Sequence, residues 1–307
     1  MQPDSSGRDE PPAISIVIPT FQRQQCLLNC LARLAACRSA DKAEVIVVDQ
    51  TPGATRPANR PDLDAAFRRL KYITLPVANV AAARNVGAAS SCGEVILFLD
   101  DDVELENSYL DQLIALFAEQ RVDCLAGEDV GSFADATRDL GFTKMEWLPS
   151  ANLSVRRNEF LAAGGFDENL YRYNEDAEFT GRLRVRGVRL GVHSTLRAIH
   201  HHEPQGGTRH SRSAFEVARH VLRNDLYFTR AIGGGPILLA SVVYRDFKST
   251  MRGTGKIGGG SIVVRLAAFC LSLPAAIPYA YRRPKLLAME TGSARPSDED
   301  FEPGPQD

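Results

Sequence analysis

Residues 94–105 read EVILFLDDDVEL, in which an apolar run from Val95 to Leu99 drives straight into three consecutive carboxylates, Asp100, Asp101 and Asp102. A short apolar run rich in β-branched and aromatic residues predicts a strand buried on both faces. Three adjacent carboxylates at its end repel one another and are costly to bury unpaired, so a positive group belongs beside them. On an extended chain Asp100 and Asp102 point to one side and Asp101 to the other, which lets the first and third grip one divalent cation. A solvated acidic turn is the plain alternative. The place of the triplet at the end of the strongest strand, not in a polar loop, argues against it.

Working outward, ISIVIPTF (14–21), EVIVVDQTPG (44–53) and KYITLPV (71–77) repeat the strand signal. Between them, residues 22–37 carry Leu27, Leu31 and Leu34 on one helical stripe, and VAAARNVGAASSC (80–92) predicts a helix packed closely through alanine. Such alternation predicts an α/β fold with a mostly parallel sheet flanked by helices. Ligands of open parallel sheets bind beyond the carboxyl ends of the strands, where Thr20, Asp49 and the triplet converge. Further on, a helix is expected through YLDQLIALFAEQ (109–120), a strand at DCLAGEDV (123–130), and a helix from Glu175 closed by Gly187.

The chain of 307 residues is long enough for one large domain with an appendage. Its formal charge of −2 hides a segregation: from Arg182 to Lys285 there are 18 Lys or Arg against 4 Asp or Glu. That excess suits an anionic substrate or a membrane surface. The expected organisation is a tail over 1–12, the main domain over 13–210, a basic helical segment over 211–290 that contacts acceptor, membrane or a second copy in a homodimer, and an acidic tail over 291–307. The N-terminus lacks the pattern of a secretory signal, so a cytoplasmic protein is expected, with peripheral contact at the membrane face. Sixteen uncharged residues between Arg265 and Arg282 fall short of a spanning helix, and Pro274 and Pro278 interrupt them. Their basic flanks suit the membrane interface. The six cysteines have no zinc or redox spacing and read as reduced core residues. GTGKIG (253–258) follows no strand and is not read as a nucleotide loop. No nucleic-acid partner is expected.

Together SIVIPTFQR (15–23), EVIVVDQT (44–51), NVAAARNVGAASSCGEVILFLDDDVEL (79–105) and GGFDENLYRYNEDAEFTGRLRVRG (164–187) resemble the family 2 inverting glycosyltransferases of GT-A fold, across roughly residues 13–210. The resemblance implies a nucleotide-diphospho-sugar transferase fold with a helical C-terminal appendage. It implies metal-dependent, inverting transfer of a sugar from a nucleotide diphosphate sugar donor to a hydroxyl acceptor, a cell-surface glycan or lipid-linked intermediate. By that match Pro19, Thr20 and Phe21 line the base and ribose, Asp49 accepts a hydrogen bond from the base, and Arg84 faces the diphosphate. Asp100 and Asp102 would hold Mn2+ or Mg2+ against the diphosphate, with Asp101 assisting at the ribose or by supporting the ligands from behind. Asp176 in NED would be the base and Glu175 the runner-up. In AIHHHEPQGGTR (198–209), His200 would complete the metal shell, with His201 and His202 as alternatives, and imidazole favours manganese. Arg209 would reach the diphosphate, and Trp147 would stack on the acceptor.

Two rivals stand beside this reading. A haloacid dehalogenase-type phosphatase also ends an apolar strand in Asp-x-Asp, but it wants a small hydroxyl residue where Glu104 stands, and it uses the first strand. A noncatalytic sugar-nucleotide-binding or scaffold protein of the same fold would bind metal and nucleotide without turnover. Capping is the structural alternative for Asn174, Glu175 and Asp176, and the helix N-terminus is expected to lower the Asp176 pKa.

Overall fold

The computed structural model describes residues 11–55, 61–119, 122–130, 142–144, 147–170, 173–203, 207, 214–231, 235–252 and 262–280. Residues 1–10 of the expected first tail, the whole expected acidic tail, GTGKIG and Arg209 lie outside the described residues. β1 (Ile14–Thr20), α1 (Gln24–Ala35), β2 (Ala43–Asp49), α2 (Pro61–Ala66), β3 (Arg69–Thr74), α3 (Val80–Ala89) and β4 (Val95–Leu99) alternate as expected. They are followed by β5 (Val103–Leu105), α4 (Tyr109–Ala118), β6 (Cys124–Asp129), β7 (Phe142–Lys144), β8 (Asn152–Arg156), α5 (Arg157–Ala162), α6 (Glu175–Val185) and β9 (Leu190–His200). Three long helices close the described chain: α7 (Ala214–Ala231), α8 (Pro236–Arg252) and α9 (Ile262–Ala280).

Among the described residues nine strands form one sheet in the order β3-β2-β1-β4-β8-β6-β9-β5, with β7 on β9. The half read from apolar runs, β3-β2-β1-β4, is parallel throughout. Beyond β4 the sheet is mixed, because β8 runs antiparallel between β4 and β6 while β6 and β9 pair in parallel. Both faces of β1, β2 and β4 are buried. One face packs Ile14, Ile16 and Ile18 against Leu27, Leu31 and Leu34 of α1 and Leu110 and Leu113 of α4. The other packs Val17, Ile46 and Phe98 against Ala81 and Ala83 of α3, Phe160 of α5 and Phe179 of α6. Each such aliphatic or aromatic side chain contributes about 1.5–3 kcal/mol by leaving water.

The alanine-lined α3 lies close on the sheet, as expected. A Cβ at Gly87 would fall 2.3 Å from Cγ1 of Val17, so the helix reaches this depth only with glycine there. Helices α7, α8 and α9 share a separate apolar cluster that includes Leu222, Val242 and Phe269. The expectation that prolines interrupt the last apolar stretch is corrected: α9 continues through Pro274 and Pro278. Among the described residues no helix is long and apolar enough to cross a membrane.

Candidate active site

The aspartate triplet follows β4 as a turn. The Asp100 amide donates to the carbonyl of Ala151 at 2.9 Å, and the Val103 amide closes back on the carbonyl of Asp100 at 3.1 Å. The expected separation of Asp100 and Asp102 from Asp101 is present, but the turn produces it and not strand alternation. Asp101 accepts from Oγ1 of Thr20 at 2.6 Å and from Nη1 of Arg23 at 2.9 Å. Opposite it, β5 pairs antiparallel with β9 in a register that sets Val103 against His200. This brings Nε2 of His200 to 3.1 Å from Oδ1 of Asp102. The ligand-capable atoms of Asp100, Asp102 and His200 all lie within 4.8 Å of one another.

The three histidines have different partners, and His202 clusters with His200 and Asp129 in a second metal-capable group. His201 meets Glu104 at 2.9 Å, and Arg33 joins that pair, so His201 is taken up on the outer side of the sheet edge. The ring of His202 stacks on that of His200 with centroids 3.9 Å apart. Burial opposes ionisation of Asp102, but His200 and Arg23 prevail and hold it down to about 2. Burial pushes Asp101 up to about 6 in spite of Thr20 and Arg23.

Two arginines answer the charge that the triplet demands. Arg84, only 2% exposed, donates from Nη2 to Asp100 at 2.8 Å and from Nη1 to Glu175 at 3.0 Å. Arg23 serves Asp101 and also lies 3.1 Å from Asp102. The sequence reading named Arg84 and missed Arg23, although a cation just after the first strand was a legible partner for the triplet.

The start of α6 is held from several sides. Arg182 chelates Glu178 at 2.7 and 2.8 Å and donates to the carbonyls of Gly165, at 2.6 Å, and Ala163. Asn85, beside Arg84, donates to the carbonyl of Phe166 at 2.9 Å and accepts from its amide at 2.8 Å. The GGFDE turn is thereby fixed to α3 and α6 together. Glu175 is buried, and burial together with the neighbouring Asp176 charge pushes it up to about 7. Asp176 accepts from the Ala177 amide at 2.8 Å. Burial raises its pKa against that amide and the Arg84 charge. The expected lowering is therefore corrected: desolvation outweighs the helix N-terminus.

Several of these groups line one cleft of about 720 Å3. Its floor is Pro19, Thr20, Phe21, Arg23 and Gln50, and its centre is Arg84, Asp100, Asp101 and His200. Pro149, Ser150 and Ala151 form one wall with Glu175 and Asp176, and α7 adds Glu216 and His220. Gly207 closes on the floor, its amide donating to the carbonyl of Phe21 at 2.9 Å. It holds φ +56°, and a Cβ there would lie 2.7 Å from the Arg23 guanidinium carbon.

Three expected residues among those described stand outside the lining: Asp102, whose carboxylate is held by His200 and Arg23, Asp49 and Trp147. Asp49 accepts from the Thr51 amide at 2.8 Å and from the Tyr72 hydroxyl, and Gln50 takes the place on the cleft floor. Trp147 is 50% exposed and lies two residues before the wall at Pro149. Gln50, Glu216 and His220 went unread because no motif marks them. Burial and Arg223 push His220 down to about 4, so it stands neutral at neutral pH.

The carboxylates of Asp100, Asp101, Glu175 and Asp176 thus line a cleft with two guanidinium groups, and Asp102 lies behind the lining against His200 and Arg23. The two carboxylates and the imidazole of Asp100, Asp102 and His200 make a donor set that fits Mn2+ better than Mg2+.

A mixed sheet with its acidic cluster at the carboxyl end of the fourth strand and a carboxylate-bearing helix across the cleft is the GT-A glycosyltransferase fold. Residues 15–169, half of the chain, match the model for glycosyl transferase family 2, and the chain belongs to that family. It is 28% identical over 212 residues to the pre-mycofactocin glycosyltransferase of Mycobacterium tuberculosis, covering 62% of this chain and 43% of that one. It spans half or less of the length of the first curated relatives it matches. Among solved structures, S. aureus TarS 1-349 in complex with UDP-GlcNAc aligns at TM-score 0.58 and 18% identity, covering 87% of this chain and 81% of that one. Mannosyltransferase PcManGT from Pyrobaculum calidifontis in complex with GDP-Man and Mn2+ aligns at 0.55 and 15%, covering 89% and 87%. At these identities the two structures speak to the fold.

Proposed function

We propose that this chain is a metal-dependent inverting glycosyltransferase, moving a sugar from a nucleoside diphosphate donor to a hydroxyl acceptor. One observation carries the reading: Asp176, Asp100 and His200 line the same cleft, Asp102 clusters with Asp100 and His200, and Arg84 joins Asp100 to Glu175 beside Asp176. Asp100, Asp102 and His200 would hold Mn2+ or Mg2+. When bound, that ion supplies positive charge where the leaving diphosphate gathers negative charge. Arg84, already balancing two carboxylates, adds to that field, and Arg209 is assigned the outer diphosphate oxygens.

Asp176 takes the proton of the acceptor hydroxyl at its carboxylate. Its burial makes it a stronger base than a solvated aspartate. Glu175 is tied to Arg84 and orients it, which leaves Asp176 for the reaction. Pro19, Thr20, Phe21 and Gln50 form the base and ribose floor, Asp101 fixes the Thr20 hydroxyl, and Asp49 braces the turn that presents Gln50. The neighbours with UDP-GlcNAc or with GDP-Man and Mn2+ support the donor class and manganese.

For the acceptor, the C-terminal helices favour a lipid-linked glycan at an anionic membrane face. Ile237, Tyr244, Val263 and Leu271 are exposed on α8 and α9, and residues 236–285 carry 8 Lys or Arg against a single acid, Asp246, which is buried and paired with Arg245. Trp147 is assigned to the acceptor sugar from beside the wall. Sedimentation with phosphatidylglycerol vesicles, and not with phosphatidylcholine vesicles, is the expected result. Dimerisation without vesicle binding would give the surface to a second copy instead.

The donor reading is tested by a thermal-shift panel of nucleoside diphosphate sugars with and without Mn2+, followed by release of nucleoside diphosphate from the best binder. Stabilisation by one donor that requires Mn2+, with turnover, is expected. No stabilisation by any donor overturns the reading, and binding without turnover makes the chain a binding protein.

A further inference from the structure

Asn174 precedes α6 and holds φ +67°, a left-handed conformation uncommon for a residue with a side chain, although asparagine adopts it more readily than most. An asparagine in this position usually accepts from an amide in the first helical turn. Asn174 makes no such cap. Its Nδ2 instead donates to Oδ1 of Asp225 on α7 at 2.7 Å. The second Asp225 oxygen accepts from Arg245 on α8 at 2.9 Å. Asp225 is buried, so these hydrogen bonds stand where water would otherwise be.

The neighbours of Asp225 grip the same loop. Asn224 donates to the carbonyl of Tyr173 at 3.1 Å, and the Tyr227 hydroxyl donates to Asp167 at 2.7 Å. One stretch of α7 therefore holds Asp167 and, directly before α6, Tyr173 and Asn174. The Asn174 backbone angle sets the direction in which α6 leaves that loop, and Asp176 is only two residues further on.

We propose that Asp225 is a positioning residue: through Asn174 it fixes the left-handed turn that aims Asp176 into the cleft. Helix α7 then belongs to the reacting apparatus, and Arg245 ties the seating of α8 to it. The inference rests on the reading of Asp176 as base.

The test uses the full chain with UDP-GlcNAc and GDP-mannose, each with Mn2+, reading nucleoside diphosphate release with water as acceptor. Asp225→Ala should lower kcat about tenfold or more while the donor KM stays within about twofold, since only the orientation of the base is lost. Asp225→Asn keeps an oxygen for Asn174 and should recover most of the rate. Glycine adopts a positive φ without support, so in an Asn174→Gly background Asp225→Ala should add little further loss. Equal, additive losses in both backgrounds, or a raised KM with unchanged kcat, overturn the proposal. Independently of turnover, hydrogen exchange in the peptide 170–182 should rise in Asp225→Ala while β1 and β4 keep their protection, and unchanged exchange there overturns it. If Asp176→Asn turns over normally the base reading fails; if only Asp225→Ala does, this inference fails alone.

Discussion

The guanidinium of Arg84 donates to Glu175 at 3.0 Å, next to the residue proposed as base. The same group reaches Asp100 at 2.8 Å, so one buried cation organises both halves of the site. Removing one partner of a buried ion pair strands the other. Arg84→Gln is expected to cost about 3–5 kcal/mol in chemical denaturation, and Arg84→Gln with Glu175→Gln less than the sum of the two single changes.

Glu175 gives the fold a pH signature. It ionises near 4.5 in a free chain and near 7 in this fold, so the folded protein holds the proton more tightly. The contribution to stability is complete below about pH 4.5 and is lost as pH rises through about 7. Wild-type Tm should fall relative to Glu175→Gln across that window, by roughly 5 °C. Parallel Tm curves for the two proteins would show that Glu175 is not the group responsible.

Gly87 links packing to the site. Alanine there gains about 1 kcal/mol of helix propensity, but its Cβ meets Val17 on a fully buried strand, and overpacking costs about 1–3 kcal/mol. Gly87→Ala should therefore be no more stable than wild type, and Gly87→Val clearly less so. As α3 is pushed off the sheet it carries Arg84 away from Asp100, so donor binding should weaken in step with stability. Calorimetry of both variants checks this.

The parallel half of the fold was legible because β1, β2 and β4 are buried on both faces and leave continuous apolar runs. The mixed half was not: β8 and β9 interleave polar residues such as Ser154, His193 and Arg197 with their apolar ones, and their pairing is set by contacts far apart in sequence. The acidic cluster at the end of β4 was legible because three carboxylates in a row need an electrostatic explanation. Arg23, Gln50, Glu216 and His220 were not, since each reaches the cleft through chain geometry that no local pattern encodes. Burial likewise reversed the expected pKa shift of Asp176, because desolvation depends on the whole wall around it.

The histidine run yields a discriminating pair. His200→Ala should weaken Mn2+ affinity about 10–100-fold, whereas His201→Ala, whose ring is engaged with Glu104, should leave it unchanged. Mn2+ titration by calorimetry reads both. Loss in His201→Ala alone would move the ligand role to that residue.

The most direct test of the account is Asp176→Asn, compared with wild type for donor affinity and for nucleoside diphosphate release in the presence of Mn2+. The account expects turnover to fall by about a hundredfold or more while donor affinity stays within a few-fold, because the asparagine fills the same space and cannot take a proton. Turnover equal to wild type, with donor still bound, would contradict it.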